Sequence, residues 1–453
     1  VTDFSGGRIT SDAGGLLLRE VEKGTGILRR FADCFVDHRA PELVEHSVLD
    51  LVSQRVYGIA LGYEDINDHD ELRRDALLAT LVGKTDPTGA ERVRERDQGF
   101  PLAGKSTLNR LELAPADAET THRYHKIVCR PDAVDRFFVD TFLDAYRRPR
   151  KRVVLDFDAT DDPLHGEQEG RFFHGYYGCY CYLPLYVFCD DHLLCARLRP
   201  SNIDASLGSL EELERIVRQI RDRWPEVQII VRGDSGFARD DLMTWCEDNG
   251  VDYVFGLARN NRLVRKIAKQ LKKAKKRFWK TGRAARCYRD FRYRTLKSWS
   301  RTRRIVGKAE QLSKGENPRF VVTSLSKEEF AAQQLYEDLY CARGDMENRI
   351  KEQQLGLFAD RTSSMMFFAN QLRLWFSSVA YVLLSELRRV GLKGTELARA
   401  QCSTIRTKLL KVGAHVSLSI RRVWVRCASG YPYQRIFARI LANLRAHYLP
   451  LRV

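Results

Sequence analysis

No apolar run in the 453 residues approaches the roughly 18 that a membrane-spanning helix needs; the richest, residues 376–384, stops at Ser385-Glu386. A soluble protein is expected. The eleven cysteines are an odd number and contain no Cys-x-x-Cys pair, which fits reduced thiols in a cytoplasm better than a disulfide framework. Cys179 and Cys181 flank one residue of a strand-like run, so both face one side of a sheet, and without a second Cys or His pair they read as packing. His165, His174 and His192 contain no His-x-x-x-His pair, and no nucleophile stands in a recognisable turn, so neither a zinc enzyme nor a serine-type triad is indicated. The opening Val-Thr-Asp-Phe-Ser-Gly-Gly has no charged, apolar and cleavage regions in series, and its lack of Met is what a trimmed start would leave. No internal repeat occurs.

What the chain has in excess is positive charge, and it is segregated. The formal net charge is +17. Residues 259–308 hold 21 Lys or Arg against the single acid Asp290, and residues 361–453 hold 16 against Glu386 and Glu396, so the rest of the chain is net acidic. Blocks of like charge repel unless a polyanion neutralises them, which makes nucleic acid the expected partner.

Residues 1–150 read mainly as helices, with Ser11 able to cap the first. From Arg152 short β-rich runs take over: 153–159, 176–189 and 193–198. An amphipathic helix over 209–224 follows, ended by Pro225; then come a buried strand, 227–232, a helix over 239–248 and a strand over 253–257. Three strands, helix, strand, helix, strand is the order of a ribonuclease-H-like core. The basic block 259–318 interrupts it with an initial helix and a run of alternating basic and aromatic residues, read as a small β insertion. An apolar strand over 319–324 and a helix over 327–357 resume the core. The expected fold is therefore α/β: a core in two parts, 151–258 and 319–364, split by a β-rich insertion and flanked by helical regions 1–150 and 365–453.

Two acids stand where acids are costly. Asp158 lies in an otherwise apolar strand and Asp234 at the end of another, and a buried acid there calls for a metal or a partner. Glu347, within the last core helix, would be unremarkable alone. Phosphodiester cleavage and strand transfer need an activated oxygen and a stabilised leaving 3′ oxygen, which two divalent ions about 4 Å apart can supply. Such hard cations take a few carboxylates. Asp156 shares a strand face with Asp158 and is an equally eligible ligand by alternation.

Four passages carry a resemblance: Phe4 to Gly15, Leu155-Asp-Phe-Asp-Ala-Thr-Asp-Asp-Pro-Leu-His-Gly, Val231-Arg-Gly-Asp-Ser-Gly-Phe, and Tyr340 to Gln354. The chain resembles, over nearly its whole length, the DDE transposases of bacterial insertion sequences, and within them the family numbered thirteen-eighty. The resemblance implies that Asp158, in Asp158-Ala159-Thr160, Asp234 and Glu347 are the catalytic acids and the ligands of Mg2+ or Mn2+, with no nucleotide cofactor. The third acid of related families belongs to a signature of Tyr, two residues, Arg, three residues, Glu, six residues, Lys. Tyr340, Arg343 and Glu347 fit it, but the Lys position holds Gln354, and Lys351, one turn past Glu347, is available to supply that charge. Tyr340, Arg343, Lys351 and Gln354 are thereby expected to contact DNA. The resemblance further implies that the 259–318 insertion contacts the element end and sets an aromatic against an unstacked base, worth roughly 1–3 kcal/mol, with Trp299 favoured over Trp279. It implies cut-and-paste movement through a hairpin at the element end. Joining two inverted-repeat ends calls for a homodimer in the DNA complex, base recognition is expected to need the N-terminal region as well, and the expected location is the bacterial cytoplasm, at the nucleoid.

Gly99-Phe-Pro-Leu-Ala-Gly-Lys-Ser106 satisfies the phosphate-loop pattern letter for letter. No strand-like run precedes it and Pro101 removes an amide, so it is read instead as the lead-in to a helix capped by Ser106.

Overall fold

The computed structural model describes residues 2–3, 5–114, 121–419 and 422–448. Phe4 of the opening motif, parts of the expected N-terminal region (115–120) and of the C-terminal region (420–421, 449–453) lie outside the described residues. The chain forms two compact units, one of residues 138–162 and 172–349 and one of residues 1–137, 163–171 and 350–453.

The first unit is built on one mixed sheet. Its strands are β1 (Arg152–Ala159), β4 (Leu185–Cys189), β5 (His192–Arg197), β6 (Gln228–Gly233), β7 (Asp252–Leu257), β8 (Ala285–Tyr293), β9 (Arg303–Leu312) and β10 (Arg319–Thr323); β2 (Phe172–His174) and β3 (Cys179–Tyr182) pair as a hairpin within a separate three-stranded sheet. The order across the sheet is β8-β9-β10-β7-β6-β1-β4-β5, with the short Gly315–Glu316 strand beside β9. β1, β6 and β7 run parallel; every other pairing is antiparallel. Parallel neighbours need crossovers, and helices α1 (Ser209–Arg223) and α2 (Asp240–Asp248) provide them.

Both faces of the central strands are covered, which is why they read as nearly unbroken apolar runs. Leu155, Phe157, Val187, Ile229 and Val231 face Ile216, Ile220 of α1 and Met243 of α2. On the other face Ile230, Val254, Val306 and Val321 meet Leu335 and Tyr336.

Three expectations change here. The run 176–189 is not one strand, because Leu183-Pro184 separates β3 from β4 and proline cannot donate to a ladder. The basic block contributes helix α3 (Ala268–Thr281) and the β8–β9 hairpin, yet that hairpin adds to the core sheet rather than forming a sheet of its own. An open edge at β10 presents unpaired amides and carbonyls, and β9 satisfies them. The helix over 327–357 is interrupted: a π-helical stretch, Leu335–Tyr340, and a 3-10 turn, Cys341–Arg343, precede α4 (Gly344–Leu357).

The second unit unites the two terminal regions expected to flank the core separately. Its central helix, Phe367–Glu386, is buried on nearly every side. Glu112, fully buried, is held by Arg55 at 2.6 Å and Arg373 at 3.0 Å. The C-terminal region is not wholly helical: Ala414–Ser419 and Arg422–Cys427 form a hairpin that Arg8–Thr10 extends. Val416, Leu418, Val423 and Val425 at alternating positions favour strand over helix. Ser11 does not cap the first helix, which spans Gly15–Thr25 behind Gly14, and Ser106 lies inside the helix Lys105–Glu112, whose cap position is Gly104. A 3-10 turn, Glu95–Asp97, rather than a strand precedes the phosphate-loop look-alike. Asp70 accepts the Lys105 backbone N–H at 3.0 Å and pairs with its ammonium at 3.1 Å, so a carboxylate already sits where a phosphate would have to bind.

Among the described residues no helix is long and apolar enough to cross a membrane. All eleven cysteines are free thiols, with Cys181 buried and Cys179 partly so.

Candidate active site

Asp158 is the next-to-last residue of β1, and β6 lies alongside in parallel register with Gly233 beside Phe157. One residue further along each strand, Asp158 and Asp234 come level at the same end of the sheet. Asp234 opens a tight turn, and its Oδ1 accepts the Gly236 N–H at 2.8 Å, which fixes the carboxyl group. Glu347 enters from the first turn of α4.

Arg343 joins the first and third acids. Its Nη1 lies 3.4 Å from Asp158 Oδ1 and its Nη2 donates to Glu347 Oε1 at 2.5 Å. The Asp158 carboxyl is nonetheless pushed up from 3.8 to about 7: burial is the largest cause, Arg343 opposes it, and the charges of Asp234 and Glu347 add to it. The three acids therefore share one electrostatic neighbourhood. Among the described residues, however, no three His, Cys, Asp or Glu side chains are gathered closely enough to hold a metal ion. The cluster is an open one, with a guanidinium linking two of its acids.

Asp156 behaves differently from the expected alternative ligand. Both its oxygens are taken by Arg232 of β6, Nε donating to Oδ1 and Nη2 to Oδ2, the latter at 2.6 Å, and the pair is buried. Arg232 also donates to the carbonyl of Leu339, so Asp156 ties β1, β6 and the π-helical stretch together. It positions the site rather than offering it an open carboxylate.

Tyr340 packs beside Tyr336, ring centroids 5.5 Å apart, and is half-buried. The expectation for Trp299 is overturned. It is 4% exposed, packs edge-on against Tyr293 at 5.9 Å and belongs to the apolar core, so it has no face to offer a base. Trp279, on α3, is 74% exposed. Lys351, exposed, and Gln354, half-buried, lie on the part of α4 assigned to the other unit.

A family model described as transposase DDE domain, group 1, matches residues 1–449. The chain belongs to this transposase family. No curated protein matches it. Among solved structures it is similar to a piggyBac transposase synaptic complex with hairpin DNA, determined by cryo-electron microscopy: 10% identity, covering 98% of this chain and 84% of that one, with a TM-score of 0.40.

Three contributors to this transposase's site escaped the sequence reading. Arg232 was one more basic residue beside the second acid. Gly256, within β7, allows a close approach: a Cβ there would stand 2.6 Å from Tyr340 Oη, 3.0 Å from Ser235 N and 3.2 Å from the Asp234 carbonyl carbon. An isolated glycine in a strand was the available signal. Tyr177 follows β2, and burial, then the charges of Asp161 and Asp158, push its phenol up to about 12. Nothing in its local sequence marks it as a neighbour of the acids.

Proposed function

We propose that this protein is a DNA transposase that cuts at the ends of its element and joins them to target DNA, with Asp158, Asp234 and Glu347 as its catalytic acids. The observation that carries the reading is the charge coupling at Asp158, where acids 76 and 189 positions away in sequence converge on one sheet end beside Arg343. The strand order β5-β4-β1-β6-β7, an antiparallel pair continued by parallel strands, supports a ribonuclease-H-like core, with 259–318 as its insertion.

The donor set suits a hard divalent cation: three carboxylates, excess negative charge, and no sulfur or imidazole among them. Asp158, Asp234 and Glu347, which stand too far apart here to hold an ion, would have to close around Mg2+ or Mn2+, which would supply activation of the attacking oxygen and stabilisation of the leaving one. In the first reaction a water oxygen bonds to phosphorus while the P–O3′ bond breaks and the 3′ oxygen takes a proton. In the second the freed 3′ hydroxyl oxygen bonds to a target phosphorus while that phosphorus loses its own P–O3′ bond, and the displaced 3′ oxygen takes up the proton that the attacking hydroxyl gives up. Arg343 is within reach of the acids and carries the charge to steady the phosphate they act on.

Basic surface supports DNA binding. On α3, Lys269, Lys272, Lys273, Lys275, Lys276 and Lys280 are exposed, and none pairs with an acid among the described residues. They would follow the phosphate backbone, with Tyr340 nearer the cut, Lys351 and Gln354 as further DNA contacts, and the N-terminal region helping to read the element end. Joining two ends calls for a homodimer, and movement would be cut-and-paste through a hairpin at the element end.

Incubation with Mg2+ and a labelled mini-element separates the outcomes. Joined products are expected. Cut-only products would make the protein a nuclease on the same core, and binding without cutting a silent DNA-binding derivative. Asp158→Asn, Asp234→Asn and Glu347→Gln should each abolish cutting while DNA binding persists; near-normal cutting by any of them removes that residue from the site.

A further inference from the structure

Between β1 and β4 the chain makes an excursion with an unusual composition. Residues 172–182 read Phe-Phe-His-Gly-Tyr-Tyr-Gly-Cys-Tyr-Cys-Tyr: six Phe or Tyr side chains, one His, and neither a Lys, an Arg nor an aliphatic residue. They fold as the β2–β3 hairpin, with Phe172 opposite Cys181, Phe173 opposite Tyr180 and His174 opposite Cys179. Its root is anchored. Cys181 and Tyr182 are fully buried, Tyr182 bridges to Pro200, and Ser201 Oγ donates to the Phe172 carbonyl at 2.9 Å.

Its tip is not buried. Tyr176 is 86% exposed, Phe173 57% and Tyr180 47%. Phe173 and Tyr180 meet edge-on across the strands at 5.6 Å, and Tyr176 and Tyr177 do so at 5.0 Å. Despite these contacts Tyr176 and Phe173 stay more than half exposed.

The hairpin's position follows from the sheet register. β4 begins at Leu185, which pairs with Ala159, and Tyr186 pairs with Asp158. The Thr160 N–H reaches the carbonyl of Pro184 at 3.4 Å. The hairpin therefore ends four residues before Asp158's cross-strand partner. Tyr177, at the tip, lies within electrostatic range of Asp161, Asp158 and Asp234.

We infer that the β2–β3 hairpin is a stacking platform for unpaired nucleobases beside the phosphate being cut. The inference rests on the proposed DNA-cutting role. Every base has a flat π face, and aromatic side chains hold unpaired bases with little regard to sequence. With no Lys or Arg the hairpin cannot grip phosphates, so it suits bases rather than backbone. Eleven residues also fall short of the roughly 20–30 per side that a stable protein interface uses. Gly175 and Gly178 beside the tyrosines leave room for a flat ring: a Cβ at either would meet nothing within 4 Å.

The test compares two DNA probes at one salt concentration: a blunt duplex, and the same duplex with a five-thymidine single-stranded overhang. The full-length protein should prefer the overhang by about 10-fold or more. Tyr176→Ala with Phe173→Ala should erase that preference while leaving blunt-duplex affinity and thermal unfolding unchanged. Tyr176→Phe, which keeps the ring, should retain it. Equal affinity of the unaltered protein for both probes overturns the inference, as does a preference that survives the double substitution. A change in sedimentation mass on substitution would make the hairpin a contact between copies and also overturns it. Failure to bind even the blunt duplex would instead strike at the DNA-cutting role on which the inference stands.

Discussion

The middle of β1 and its end each carry an aspartate on the same strand face, and the protein uses them in opposite ways. Asp156 is buried against Arg232 with both oxygens hydrogen-bonded. Asp158, two residues on, keeps one long contact to Arg343 and two other acids for neighbours. A bidentate Arg–carboxylate pair takes up both oxygens of its acid, although burial still holds the Asp156 carboxyl above its ordinary range. A carboxylate repelled by its neighbours is not held so, and that difference, rather than burial or strand position, separates an acid that holds the fold from one open to a cation.

Cleavage should separate the two most sharply. If Asp158 is a ligand as proposed, Asp158→Asn removes an oxygen donor and a negative charge from the cation, and a loss of about 10³-fold or more in mini-element cutting is expected, with the fold intact. Asp156→Asn leaves the Arg232 guanidinium buried without its counter-charge, and breaking such a pair costs about 3–5 kcal/mol. Its unfolding midpoint in urea should drop accordingly. The comparison fails if Asp156→Asn unfolds at the same denaturant concentration as the parent while losing divalent-ion affinity, for Asp156 would then be a ligand.

Gly256→Ala should act between these extremes. The new methyl meets backbone atoms of the Asp234 turn, which cannot swing aside, and the Tyr340 hydroxyl, which can. Overpacking of this kind costs about 1–3 kcal/mol, and the shift of Asp234 should lower cutting as well. Adding Tyr340→Phe removes the nearest clashing atom and should restore part of both losses. No recovery in the double variant would mean that the Asp234 backbone alone sets the limit.

The residues that were legible from sequence were those whose local surroundings made them expensive. An acid in Val-Val-Leu-Asp-Phe-Asp-Ala and another after an apolar strand stand out because the cost of burial is local. The succession of strands and helices from 185 to 257 was likewise readable from runs and turns. What stayed hidden depended on pairing between distant segments. Nothing near Asp156 says that Arg232 will satisfy it, and nothing near Trp299 says that Tyr293 and Arg303 will enclose it. The charge count of 259–308 was blind to the same thing: Arg303 and Arg304 are spent on Asp240, Glu247 and Asp290, whereas the lysines of α3 remain exposed. The π-helical stretch before Arg343 also has no sequence period of its own; Arg232 reaching the Leu339 carbonyl marks where tertiary contact meets it.

The smallest expected effect is also the one that tests the electrostatic half of the comparison without any DNA. Asp158 titrates near 7 when folded and near 3.8 when exposed, so between those values the folded chain keeps a proton that the unfolded chain has released. Its contribution must then fall as pH rises through that window and level off above about 7, where the folded protein carries an ionised, repelled carboxylate. Asn cannot ionise. In metal-free buffer Asp158→Asn and the parent should therefore differ little near pH 4, while at pH 8 the variant should be the more stable by about 1–3 kcal/mol. Mg2+ should reverse the ranking at pH 8, because only the ionised parent gains from a bound cation. Asp156→Asn, having lost an attractive partner rather than a repulsive one, should be the less stable protein at pH 8 with or without Mg2+. Denaturation curves of the three proteins at the two pH values decide it: a parent that exceeds Asp158→Asn in stability at pH 8 without metal would show that Arg343 outweighs the neighbouring acids, and Asp158 would join Asp156 as a satisfied structural carboxylate.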